Sequence, residues 1–555
     1  MPTPATADPA CLRSRLETWL AVFLIAAVLA FQAWTAWSTD RAWLVDGRRD
    51  DYNNQLLHSF LAGHLYLPET PDPRLAQLAN PYDPALRPAD VATPHDGSYY
   101  HGHFYMYFGV TPIVTLLLPW RLLVGHDLPQ VWAVVFFVWG GFLAASALFL
   151  SLRRRFFPES GAVTLVAGLV VLGLGSMTHA VLRRSGVWEA AIAPGYCFAM
   201  LMLLCLYRGL HSCRPAGWLA AAGAAFGLAV GARPIYVLGG AALLVPLIRA
   251  AALGRRELIR QALALALGAG PIAAGLAWYN WARFGSPLEF GNHYMMNAAN
   301  EQAAVHFSLR YLPYNFYAYF LAPLPFGRYF PFVGLARLPA QPDGYYGVEY
   351  VSGLLVNFPF AWLAVLVPLG WRGRAAAEAG ELRRFLTALA IFFAGVAALE
   401  ACWWAATARY MADFTPALML LAAAGMLGAE RAARGRGRAL VRTGAAAAAL
   451  FTAFVGAMLS FQLHELLRQL YPQTFDRVAH VFDTPVAWVE RLAGERFEPR
   501  EITLRFPIGK GGLVEPLVTA GWEFQSDHLF VHYYDAGHVR FGYDHAGHGA
   551  LWSGP

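Results

Sequence analysis

The chain has 555 residues, of which 57% are hydrophobic and 14% charged, against about 25% charged in a soluble domain, so a soluble enzyme is excluded. With 42 basic and 36 acidic side chains the net charge is +6, too little for an extended polyanion-binding surface, and nucleic acid is not the partner. Cys11, Cys197, Cys205, Cys213 and Cys402 fall in or beside apolar segments with no C-x-x-C pair, which supports neither a disulfide framework nor a zinc site.

Apolar runs long enough to cross a bilayer recur along the chain. The first, from about 19 to 37, follows Arg13 and Arg15, which hold the N-terminus in the cytoplasm; it is long enough to span and ends without a clear cleavage site. Further spans are expected near 131–152, 161–182, 190–207, 216–232, 235–251, 261–282, 351–370, 385–405, 414–429 and 443–460. The fold class is therefore an all-α polytopic membrane protein with about eleven transmembrane helices. Alternation from a cytoplasmic start puts each short arginine cluster inside: Arg153 to Arg155, Arg208 with Arg214, Arg249 to Arg260, Arg372 to Arg384, and Arg431 to Arg442. That agreement fixes an odd number of spans and an external C-terminus. The whole divides into a membrane domain over 1–460, with external loops at 38–130 and 283–350, and an external region over 461–555.

The first loop is acidic, with nine Asp and Glu against five arginines through residue 104. Its segment "DGRRDDYNNQLLHSFLAGHLYL" opens with Asp46, Asp50 and Asp51 and then becomes helical, with Leu56, Leu57, Phe60 and Leu61 on one face. The acids suit a helix start by complementing its dipole, or a general base or metal ligand near a lipid headgroup. Later in the loop, Tyr105 to Val124 is apolar but holds Pro112, Pro119 and Arg121; it is expected to be a helix lying in the outer interface.

Further on, Glu189 in "RRSGVWEAAIAPGY" stands at the outer start of the fourth span, where a paired interfacial residue is the ordinary alternative to a functional one. Arg183, Arg184, Arg233, Arg283 and Arg409 lie near the outer face. Arg233 precedes Pro234 between two short spans, where a charge is costly unless it faces a cavity or a partner. In the second loop "RYLPYNFYAYFLAPLPFGRYFPF" is too irregular for a strand or an ordinary helix; its aromatics suit a sugar face, an isoprenoid groove or an interfacial belt. His293 and His306 lack metal-ligand spacing. "ARYMADF" places Arg409, Tyr410 and Asp413 at a span boundary, with an Arg409–Asp413 pair one turn apart as the plain alternative. The tail reads as amphipathic helix from Phe461 to about Ala493, and then as strands "ITLRF", "LVEPLV", "HLFVHYY" and "HVRFGYDH", a small β-rich domain whose histidines match no zinc pattern.

An acidic motif after the first span, a juxtamembrane helix and a second acid beyond the third span resemble the GT-C superfamily of integral-membrane glycosyltransferases, to which aminoarabinose transferases and protein O-mannosyltransferases belong. "HLYLPETPDPRLAQLANPYDP", "SYYHGHFYMYFG", "WYNWARFGSPLEFGNHY" and "ARYMADFTPALML" are similar to bacterial glycosyltransferase-like membrane proteins over most of residues 15–430. The resemblance implies transfer of a sugar from a polyprenyl-phosphate carrier to an envelope glycan, lipid or protein acceptor on the periplasmic face of the inner membrane. It carries the catalytic acids onto Asp50, Asp51 and Glu189. The chemistry asks for a carboxylate that takes the acceptor proton, and for arginine or a divalent metal ion on the leaving phosphate. Arg409 and then Arg233 are the expected phosphate partners, with Tyr52 and Tyr410 beside the substrates. Two readings of other classes stand beside this one, a transporter or flippase of lipid-linked sugars and a catalytically inactive relative.

Overall fold

The computed structural model describes residues 9–38, 51–492, 503–506, 512–522, 525–535, 537–545 and 550–554. They form two compact units, Met1–Ala322 with Leu338–Ala457, and Pro323–Arg337 with Met458–Pro555. The stretch 323–337 thus belongs with the C-terminal region and not with the rest of the second loop.

The first unit is helical: α1 (Pro9–Trp37), α2 (Tyr52–Leu61), α3 (Leu118–Val124), α4 (Gln130–Phe156), α5 (Ala162–Leu174), α6 (Thr178–Arg184), α7 (Val187–His211), α8 (Pro215–Ala232), α9 (Leu244–Leu253), α10 (Arg255–Phe284), α11 (Leu312–Phe316), α12 (Leu354–Asn357), α13 (Ala376–Ala401), α14 (Thr415–Ala432) and α15 (Gly435–Gln462). Among the described residues nine helices are long and apolar enough to cross a membrane. The spans expected near 351–370 and 414–429 are not among these nine; the second is a regular α-helix, α14, and the first takes another form. Pro359–Gly370 is a 3-10 helix with Pro368 inside it, and α14, buried almost throughout, packs along it. A 3-10 helix rises about 2.0 Å per residue, so its twelve residues reach about 24 Å, close to the thickness of a hydrocarbon core.

Close packing rests on small residues, as it must where lipid and side chains are equally apolar. A Cβ on Gly425 would stand 1.8 Å from the Leu363 carbonyl oxygen, and one on Gly268 1.9 Å from that of Ala220. These positions bring α14 onto the 3-10 segment and α10 onto α8.

The two ends of this unit differ. At one end the arginine clusters meet: Arg155 pairs with Glu381 at 2.8 Å, Arg431 with Glu159 at 3.7 Å and Arg442 with Glu430 at 2.6 Å, while Arg374 donates to the Phe156 carbonyl. At the other end the loops are stitched by short strands, β1 (Gly97–Tyr100), β2 (His103–Met106) and β3 (Met295–Met296) in the order β2-β1-β3, and β4 (Gly347–Glu349) parallel to β5 (Ala405–Thr407). The β1–β2 hairpin corrects the expected helix over 105–124. His101 and Gly102 both take positive φ, 47° and 79°, as a two-residue hairpin turn requires. The chain becomes helical only after this hairpin, through a π-helical turn at Ile113–Leu117 that runs into α3.

In the second unit Phe330 packs against Phe461, Phe475 and Phe482 at 4.9, 5.2 and 5.5 Å. Here α16 (Leu466–Leu470) and the amphipathic α17 (Pro472–Leu492) are followed by a four-stranded antiparallel sheet of β6 (Val514–Trp522), β7 (Gln525–Tyr533), β8 (Val539–Asp544) and β9 (Ala550–Trp552) in sequential order. "ITLRF" forms no strand over its described residues 503–506. His538 contacts Asp535 and His545 contacts Asp527 at 2.9 and 2.6 Å, ordinary strand and turn pairs; His548 lies outside the described residues.

Candidate active site

At the strand-stitched end the first unit encloses a cavity of about 390 Å³. Val230, Ile235 and Leu276 line its inner part, and Asp96, Arg233, Arg283, Glu301, His306, Glu400 and Tyr410 give it charged and polar walls. Leu276 and Arg283, seven residues apart on α10, both line it, so the cavity extends about 10 Å along that helix at 1.5 Å per residue.

Helix breaks bring the charges together. Arg233 ends α8, because Pro234 cannot continue it. Its guanidinium lies between Glu400, at the end of α13, at 3.1 Å and Asp413 at 3.2 Å, and 4.6 Å over the Tyr410 ring. Asp413 also accepts from the Tyr236 hydroxyl at 2.7 Å. Asp413 therefore belongs to Arg233 and not to Arg409. Arg409 instead meets Glu189 at 3.4 Å and Glu349 at 3.1 Å and faces the Trp188 ring at 5.2 Å. Burial opposes the charge of Arg409, and the two carboxylates more than offset it, holding the guanidinium above its ordinary range. Glu189 has a second task, accepting from the Gly186 amide at 3.0 Å to close the first turn of α7.

Arg283 is different. It is 5% exposed and rests 3.8 Å from the Tyr279 ring centre. It donates to the Met106 carbonyl at 2.9 Å and to Asn280 Oδ1 at 2.8 Å, while its Nε has no hydrogen-bond partner among the described residues. Its hydrogen-bonding contacts are with neutral groups.

The first-loop residues sit elsewhere. Asp51 accepts from the Asn54 amide at 3.2 Å and from Asn54 Nδ2 at 2.8 Å, which makes it the N-cap of α2; burial raises its carboxyl above the usual range against those hydrogen bonds. Tyr52, expected beside a substrate, is buried at 4% exposure in an apolar cluster with Leu56, Leu57 and Phe104. Neither residue lines the cavity, and Asp50 lies outside the described residues. Tyr410 and Arg233 do line it, whereas Arg409 and Glu189 stand behind the wall formed by Trp188 and Tyr410.

Among the described residues no group of three His, Cys, Asp or Glu could hold a metal ion. No family model and no curated protein matches the chain. In the comparison with solved structures it is similar to ArnT from Cupriavidus metallidurans, determined bound to undecaprenyl phosphate, with 14% identity, a TM-score of 0.40 and coverage of 80% of this chain and 77% of that one.

Asp96, Glu301 and Glu400 are charged cavity residues that carry no signal in the sequence, and His306 and Arg283 line the cavity without a role read from the sequence. Asp96 sits in a turn at φ 55° and accepts the Trp188 indole N–H at 2.8 Å, a contact between residues 92 positions apart. Arg283 was visible in "WYNWARFG" but carried no mark that set it above the other arginines.

Proposed function

We propose that the protein is a membrane glycosyltransferase that takes a sugar from a polyprenyl-phosphate carrier and passes it to an envelope acceptor at the periplasmic end of the helices. The arginine-rich end faces the cytoplasm in this reading, by the same inside preference that arginine shows in short loops. The observation that carries it is Arg283, a buried guanidinium on a cavity wall with neutral partners only. Among the described residues no carboxylate is in contact with it; a buried charge so placed is costly, and an anionic ligand in the cavity removes that cost. A lipid phosphate meets both requirements of the space, since its phosphate reaches the arginine while its chain lies along the apolar part near Val230 and Leu276.

The roles of the other arginines follow from their partners. Arg233 is close to neutralised by Glu400 and Asp413, and Arg409 by Glu189 and Glu349, so these two build the wall and its local field. The acceptor hydroxyl enters from the loop side and attacks the anomeric carbon in line, opposite the phosphate. The configuration inverts, and the phosphate oxygen departs with the bonding electrons beside Arg283, where fixed positive charge stabilises it. Trp403, Trp404 and Tyr346, all on the wall, offer flat apolar faces to a pyranose or furanose ring.

The test uses the full-length protein in lipid nanodiscs with a panel of undecaprenyl-phosphate hexoses and pentoses, an envelope extract as acceptor, and the matching nucleotide sugars without lipid carrier. Release of undecaprenyl phosphate with labelling of the extract by at least one lipid-linked sugar is the expected result. Efficient transfer from a nucleotide sugar alone would overturn the mechanism, and movement of an intact lipid-linked sugar across a bilayer without release of the phosphate would favour a transporter.

A further inference from the structure

Between α10 and α11 the chain builds a second polar group on the same wall, distinct from both arginine clusters. Glu301 is 2% exposed. Asn297 Nδ2 donates to its Oε1, and its Oε2 is hydrogen-bonded to His306 Nε2. The His306 ring lies parallel to Trp403, with centres 5.7 Å apart and planes at 22°, and meets the edge of Trp404 at 4.8 Å. Asn292 Nδ2 stands 3.0 and 3.2 Å from the two ring nitrogens. The backbone fixes the arrangement, since the Trp404 amide donates to the His306 carbonyl and the Ser308 amide to that of Cys402, both at 2.9 Å. Glu301 and His306 both line the cavity.

A carboxylate this deeply buried would ordinarily need a cation. Among the described residues no arginine pairs with Glu301; its partners are an amide and an imidazole. A carboxylate bonded to one ring nitrogen of an imidazole fixes the tautomer and orientation of the ring and stabilises the cation formed when the other nitrogen takes a proton. The other carboxylates on the wall are committed differently, Glu400 to Arg233 and Asp96 to the Trp188 indole.

We propose that His306 is the general base of the transfer and that Glu301 is its positioning residue; the proposal rests on the sugar-transferase reading above. In the step the acceptor O–H bond breaks and its proton passes to imidazole Nδ1, the nitrogen not bonded to Glu301, in place of its contact with the Asn292 amide. The acceptor oxygen forms a bond to the anomeric carbon, the bond from that carbon to the phosphate oxygen breaks, and its electron pair leaves on the polyprenyl phosphate. No oxidant or further co-reactant is required. The imidazolium returns the proton to water when the products leave. The charged and titratable groups that share the cavity wall with His306 are Glu301 on its own segment, Asp96 and Tyr107 in the first loop, Arg233 after α8, Tyr279 and Arg283 near the end of α10, Tyr346, Glu400 at the end of α13, and Tyr410.

The test compares wild type, His306→Gln, Glu301→Gln and Asp96→Asn as full-length proteins in nanodiscs. It measures kcat and KM against pH with the lipid-linked sugar found active above, undecaprenyl phosphate binding, and thermal unfolding. His306→Gln is expected to lower kcat by two to four orders of magnitude, with donor KM, undecaprenyl phosphate binding and unfolding temperature close to wild type. The acid limb of the kcat profile should vanish in this variant, and added imidazole should restore part of the rate. Glu301→Gln should lower kcat less and displace that acid limb, which a merely structural role would not do. The proposal is overturned if His306→Gln keeps kcat within threefold of wild type, if its loss is matched by loss of donor binding and folding while Glu301→Gln leaves the pH profile unchanged, or if Asp96→Asn alone abolishes kcat. A wild-type protein that neither binds undecaprenyl phosphate nor uses any lipid-linked sugar would instead overturn the transferase reading, and the dyad with it.

Discussion

The helical unit uses arginine in opposite ways at its two ends. At one end Arg155 and Arg431 pair with carboxylates near the surface, and the side chains of Arg155 and Glu381 are 45% and 31% exposed. At the other end Arg233, Arg283 and Arg409 are buried beside a cavity, held against the rings of Tyr410, Tyr279 and Trp188. Water screens the first set. The second set is desolvated, so each guanidinium must be matched by a carboxylate or by a ligand. Arg233 and Arg409 are matched within the protein; Arg283 is the one on the cavity wall whose bonds are to neutral groups.

The largest effect should come from unbalancing a matched site. Arg233→Met leaves Glu400 and Asp413 facing each other without their cation, and removal of one partner of a buried ion pair costs about 3–5 kcal/mol; thermal unfolding in detergent should show a strongly destabilised or poorly expressed protein. Arg283→Gln should show the contrasting pattern. Its fold should be near wild type, because only neutral acceptors lose a donor, while a charge-assisted hydrogen bond to the ligand worth about 1.5–3 kcal/mol disappears, about a 10- to 150-fold loss in undecaprenyl phosphate affinity by titration. Asp51→Ala removes the cap of α2 and should cost about 1 kcal/mol of stability. Asp51→Asn, which keeps a good capping side chain, should leave both unfolding and transfer near wild type; a hundredfold loss of transfer there would restore Asp51 as the base. Smallest of all, Arg155→Gln breaks a half-exposed pair and should change stability by no more than about 0.5 kcal/mol, measured in the same unfolding assay.

These contrasts show what the sequence could and could not disclose. Long apolar runs are local signals for the helical architecture, and short strand-like segments between turns are local signals for the C-terminal sheet. Pro359–Gly370 departed from the expected span because its shape is set by packing against α14 rather than by its own composition. The site was only partly legible. Arg233 and Tyr410 stood out because a charge or an aromatic next to a helix break is unusual, and both line the cavity. Asp50–Asp51 is an acidic pair of the kind a helix start also produces, and Asp51 caps α2. His306 stands in a polar loop without metal-ligand spacing, and its partners are the buried carboxylate five residues earlier and Trp403 and Trp404 nearly a hundred positions later. Partners brought together across such distances leave no periodic trace.

The central claim is that the unmatched guanidinium of Arg283 is the seat of a lipid phosphate. The most direct measurement is native mass spectrometry of the full-length protein titrated with undecaprenyl phosphate, comparing wild type, Arg283→Gln and Arg155→Gln. Saturable binding of one lipid phosphate by wild type and Arg155→Gln, weakened at least tenfold in Arg283→Gln, is the predicted result; equal affinity in all three proteins would contradict it.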